Sequence, residues 1–196
     1  MKIIKILLIS FALLMSILSI ATAQDKSKAA QEEKVVWYGI DFSIARFTLV
    51  TENPSVIVNQ YIPAINQLIL TEPEKYDLKK FFNKKEIINA IKVTNERNST
   101  IDPTSLVIDN EFNVEPDQVA QLIKGLQLEE KDGMGLIFVA ENLNKTKQVG
   151  SYYVCFFDIA SRNIIDSRRM EGKAVGIGFR NYWAGSIYNI MKVWMK

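Results

Sequence analysis

The stretch Val35-Val36-Trp37-Tyr38-Gly39-Ile40-Asp41-Phe42 constrains the fold more than any other part of the chain. Its apolar and aromatic residues run on almost without a polar break, where a half-exposed strand would alternate. Such a strand is covered on both faces, so helices must lie above and below the sheet that it joins. Candidate helices are visible. Asn53-Pro54 supplies a cap residue followed by proline at the first helical position. Downstream, Ile57, Tyr61, Ala64, Ile65, Leu68 and Ile69 recur at spacings of three and four. Pro63 inside that stripe predicts a kink or the true helix start, and Glu72-Pro73 ends it. Glu115-Pro116-Asp117 opens a second helix with acids in its first turn, buried through Val119, Leu122, Ile123 and Leu126. A third runs from Phe179 to Met195, with Phe179, Trp183, Ile187, Ile190 and Trp194 on the face that must cover the sheet.

Three further strands are expected over 136–140, 149–158 and 163–173, with a turn at 159–162 between the last two. The segment 76–82 reads as a connector. Over 87–93, Ile87, Ile91 and Val93 alternate with polar residues and favour a strand, although Ile87, Ile88 and Ile91 also suit a helix. The Asn-, Asp-, Ser- and Thr-rich stretch 95–113, with Pro103, reads as mostly loop. The order β-α-β-α-β-β-β-α defines a single α/β sandwich over 35–196, a mixed sheet of about five strands flanked by helices.

Ahead of it, Lys2 and Lys5 precede the apolar run from Ile6 to Ala21, which closes on Ala21-Thr22-Ala23. That is the pattern of a signal peptide over 1–23, cleaved after Ala23. A retained membrane-spanning helix is the alternative, but Ser10, Ser16, Ser19 and Thr22 dilute the run. Bacterial lipoproteins carry cysteine after the cleavage point, and Gln24 stands there, so no membrane anchor is expected after cleavage. The charged stretch 24–34 reads as a flexible leader, and the location expected is periplasmic or secreted.

The signal carries two lysines and no acid, so the remaining 173 residues hold 22 basic and 22 acidic side chains. A neutral chain lacks the field of a general nucleic-acid or anionic-membrane binder, and no nucleic acid is expected as a partner. The chain has no histidine, which removes Ser-His-Asp and Cys-His catalysis and His-ligated zinc. Its one cysteine, Cys155, lies among Tyr152, Tyr153, Val154, Phe156 and Phe157 and reads as core. Neither a cofactor nor a metal is expected. Asp109-Asn110-Glu111 lacks the alternating oxygens and glycine of a calcium loop.

The last third, with its hairpin YYVCFFDIASRNIIDSRR, then Gly172 and a closing amphipathic helix, resembles the α/β domain of Gram-negative envelope assembly proteins. Among these are the amino-terminal domain of the Tol-system protein TolB, the curli secretion lipoproteins and the outer-membrane activators of peptidoglycan synthases. WYGIDFS and GIGFRNYWAGSI are similar to segments of exported proteins of Bacteroidetes-type bacteria to which no activity is attached. The resemblance implies the sandwich fold and an envelope protein or cell-wall component as partner.

Asp41, at the carboxyl end of its strand, and Arg180, near the start of the last helix, could form an ion pair or anchor a polar ligand. Asn181 and Tyr182 could face a cleft or partner. Gly172, Gly176 and Gly178 match neither a P-loop nor a dinucleotide fingerprint and read as a tight turn. Arg162, Arg168, Arg169 and Lys173 cluster on the hairpin, but successive strand residues face opposite ways, so they do not make one basic patch. The function expected is an exported, non-catalytic interaction or assembly module. The alternatives are a periplasmic small-ligand-binding protein or a hydrolase working with carboxylates alone.

Overall fold

The computed structural model describes residues 29–194. The expected signal peptide, its cleavage site and residues 24–28 of the leader lie outside the described residues. Seven strands are present: β1 Lys34–Asp41, β2 Arg46–Thr48, β3 Glu86–Asn89, β4 Val107–Ile108, β5 Met134–Asn144, β6 Val149–Asp158 and β7 Ile164–Lys173. A first helix, α1, starts as Pro54–Val56, widens into a π turn over Ile57–Tyr61 and continues as Ile62–Thr71. It is followed by α2 Leu78–Phe82, α3 Lys92–Asn98, α4 Pro116–Lys124 and α5 Phe179–Trp194. Among the described residues no helix is long and apolar enough to cross a membrane.

The molecule is an α/β sandwich with a mixed, mostly parallel sheet. Its seven strands occupy five rows. Along its whole length β5 pairs on one edge with β6, so β1 and β2, which both pair with β5, must share the other edge end to end. Outside them β3 pairs with β1 and β4 with β2, which makes the outermost row a broken one. On the far side β7 pairs with β6, and β6 alone runs against the other strands.

Several local expectations are corrected. The strand β2 and the two-residue β4 raise the strand count from five to seven, and the connector at 76–82 contains α2. Asp77 caps α2 by accepting from the Lys80 N–H at 3.0 Å. The stretch 87–93 splits, strand to Asn89 and helix from Lys92, while the supposed loop 95–113 holds most of α3, a 3-10 turn at Pro103–Ser105 and β4. The leader is docked from Ala29 onward: Lys84 Nζ donates to the carbonyls of Ala29 at 2.6 Å and Glu32 at 2.7 Å. Pro63 has no N–H to offer the turn before it, and the helix accommodates this by widening, with the Ile62 N–H reaching Ile57 O.

Two apolar cores sandwich the sheet. Trp37, Ile40, Leu136, Phe138, Tyr152 and Val154 face α1, α2 and α5, while Val36, Tyr38, Ile137, Val139, Tyr153 and Cys155 face α4. Trp37 and Ile40 share a face because three steps of β1 there span two of β5, a bulge around Gly39. The closing helix comes down onto glycines. Gly150 and Gly172 are cross-strand partners beneath Ser186, and a Cβ on Gly172 would stand 2.0 Å from the Ser186 carbonyl oxygen. That close approach buries Trp183, Ile187 and Ile190 completely, each stabilising the fold by roughly 1.5–3 kcal/mol.

Candidate functional site

Asp41 ends β1 with its side chain fully buried. Its Oδ1 accepts the Ser43 N–H at 2.8 Å, and its Oδ2 lies 3.3 Å from Nε of Arg97, which also donates to Ser43 Oγ at 3.0 Å. Burial pushes this carboxyl above the usual range, against the opposing pull of the Ser43 hydrogen bonds and Arg97. The ion pair expected with Arg180 is therefore made with Arg97 instead. Arg97 comes from α3, within the stretch read as loop, so its helical placement beside β1 was not visible. Arg180 is exposed, its Nε donating to Asn181 Oδ1 at 3.1 Å.

The surroundings of Asp41 are structural in character. Beyond Asn89 the edge of β1 loses its partner strand, and side chains replace it. The Ile40 N–H donates to Asn66 Oδ1 at 2.7 Å, and the Ile40 carbonyl accepts from Asn66 and Asn98. Asn98 Oδ1 takes the Phe42 N–H at 2.7 Å, and Thr94 Oγ1 donates to Tyr38 O at 2.5 Å. Three buried polar side chains thus satisfy backbone groups that would be costly to bury alone. Gly39, at φ +83°, brings the chain close: a Cβ there would meet Asn66 Oδ1 at 2.8 Å.

Arg180, Asn181 and Tyr182 belong to a different region, the rim at the carboxyl ends of the parallel strands. Thr48, Asn144, Val149 and Lys173 stand in register across four rows. Just past them the Lys145 N–H bonds Thr48 O, the Ala174 N–H bonds Gln148 O, and the Val175 N–H bonds Tyr182 O. Lys145 Nζ sits 3.8 Å from the centre of the Tyr182 ring, whose hydroxyl is buried, has no hydrogen-bond partner among the described residues and is pushed up by desolvation. Between Val175 and Phe179 the chain forms a turn through Gly176 and Gly178, as the glycines suggest. Ile177 projects from that turn with 94% of its surface exposed, and Val175 and Leu49 are also largely exposed. Ile177 and Leu49 escaped sequence reading because an aliphatic residue reads as core; the flanking glycines of Ile177 were its one signal.

A third region is a polar cleft of about 160 Å³ on the α4 face, lined by Asn142, Asn144, Ser151, Arg169 and Glu171 among others. Behind the lining residue Arg169, Glu141 is buried, its Oε1 accepting the Val114 N–H at 2.9 Å and its Oε2 lying 2.8 Å from Arg169 Nη2. The same guanidinium holds Glu171 through Nη1 at 3.0 Å. The carboxylates that line the cleft are both paired with cations, Glu171 with Arg169 and Glu111 with Lys147, and Arg169 also holds Glu141. Arg168 points the other way, to Asp166 and the Trp194 ring, which separates the two arginines onto opposite faces. Cys155 is packed between the layers 3.3 Å from Ser167 Oγ, and burial pushes its thiol up to about 12. Among the described residues no group of three His, Cys, Asp or Glu could hold a metal ion. No family model, no curated protein and no solved structure matches the chain.

Proposed function

We propose that this chain is an exported, non-catalytic cell-envelope protein acting as an interaction or assembly module, which grips an envelope protein or cell-wall component through the rim around Ile177. One observation carries the reading: an isoleucine with 94% of its surface in water on a turn whose two sides are hydrogen-bonded to each other. Covering such a side chain is worth roughly 1.5–3 kcal/mol, a gain that the lone domain forgoes and a partner can collect. Val175, two residues before Ile177, adds a second exposed aliphatic side chain, while Lys145, Arg180 and Asn181 supply polar groups on the same rim, the arrangement of a binding surface. The signal pattern over 1–23 supplies the location. The polar cleft beside Arg169 favours a second reading, a small polar ligand held by Asn144, Ser151 and Arg169.

The first reading is tested by a photo-cross-linking residue at Ile177 in intact cells, with the same residue at exposed Lys131, ahead of β5, as control. A specific envelope partner captured from position 177 and not from 131 is the expected result. Capture of nothing specific, or of the same set from both positions, overturns it.

A further inference from the structure

The outer edge of β7 is the longest continuous one in the sheet, and among the described residues no strand pairs with it. Its backbone directions follow from two bonds. The Ala174 N–H turns inward to Gln148 O, and the Lys173 carbonyl turns outward, where Asn189 Nδ2 donates to it at 2.8 Å. Alternation along an unbroken register from 173 back to 166 then turns the N–H and C=O groups of Ser167, Arg169, Glu171 and Lys173 outward.

We infer that two copies of this chain join through β7, antiparallel about a two-fold axis at Met170. That centre sets Arg169 opposite Glu171 of the second copy, twice, and Ser167 opposite Lys173, every pair outward-facing and on one face. Other centres are poorer. An axis at Arg168, Arg169 or Glu171 puts like charges face to face, one at Gly172 shortens the shared strand because β7 ends at Lys173, and one at Ser167 carries it through the irregular start of β7 between 164 and 166. Charged residues do guard open edges in general; here their order is also self-complementary, as a two-fold interface requires. The layer above agrees. Asn189 reaches from α5 to the outer carbonyl of Lys173, so this side of α5 overhangs the edge, and Val193, one turn further on, is an exposed apolar residue on that side. A second copy of α5 would cover it. The rim around Ile177 takes no part, so this inference stands apart from the function proposed above.

Met170 would face its own copy as a non-hydrogen-bonded pair, with Cα atoms about 4.5 Å apart, within disulfide reach. Mild oxidation of Met170→Cys is expected to give a covalent dimer, and Lys173→Cys, far from its own copy in this register, none, while buried Cys155 stays unreactive. In sedimentation equilibrium the wild type is expected at twice the monomer mass, and Glu171→Arg, checked for folding by its melting curve, should dissociate about tenfold more readily. A monomeric wild type overturns the inference. So does a dimer that Met170→Cys cross-links no faster than Lys173→Cys, or one indifferent to Glu171→Arg.

Discussion

The two edges of the sheet solve the same problem in opposite ways. At the broken edge, β3 and β4 together cover only part of β1 and β2, and Asn66, Thr94 and Asn98 fill the gap with side-chain hydrogen bonds. At the other edge β7 runs ten residues unpaired among the described residues, dressed with charges. An edge closed from within by amides is part of the core and cannot accept another strand. An edge protected only by charge stays available to whatever complements that charge. The first edge is closed to a further strand, and the second is the one to which a strand can still be added.

Breaking the charge network of β7 should have the largest effect. Arg169→Leu leaves buried Glu141 without its cation and should cost about 3–5 kcal/mol, read as a lower urea midpoint. At the plugged edge, Asn66→Ala strips the Ile40 N–H of its acceptor inside the core and should cost about 2–3 kcal/mol in the same assay. A smaller, pH-dependent effect belongs to Asp41. Because burial raises its folded-state pKa, the folded chain holds that proton more tightly than the unfolded one. Stability from this group is therefore greatest below the unfolded value and declines as pH rises through the raised folded value. Asp41→Asn should remove that decline, so its midpoint should gain on the wild type from pH 4 to pH 7; parallel curves would contradict it. Smallest of all, Ser167→Ala on the open edge should change stability by less than about 0.5 kcal/mol. A large loss there would mean that β7 is not a free edge.

The elements legible in the sequence were those that carry their own pattern. The hairpin β5–β6–β7, the capped helix α4 and the amphipathic helix α5 announce themselves through long apolar runs, turns and periodic stripes. The broken edge does not. β2 and β4 are three and two residues long, too short for any period; β2 pairs along β5, and β4 along β2. Thr94 and Asn98 look like loop residues because polar side chains ordinarily seek water, whereas here they seek the backbone of β1. The site was half legible for the same reason. The glycines ahead of α5 marked a turn near Arg180, Asn181 and Tyr182, but that Ile177 stands in solvent depends on what surrounds it. The partner of Asp41 depended on a helix that the composition concealed.

The row order also sets a timetable. Each arm of the hairpin β5–β6–β7 finds its neighbour within a short turn, so these three strands can pair as soon as they exist. For β1 the case is reversed: Val36 must wait for Gly135, far down the chain, before its inner edge is paired. Until then the apolar residues of β1 are a sticky, unfinished surface. A chain built this way has its greatest need of a holding chaperone early in its life, at residues 35–42, and is relieved of it when β5 arrives.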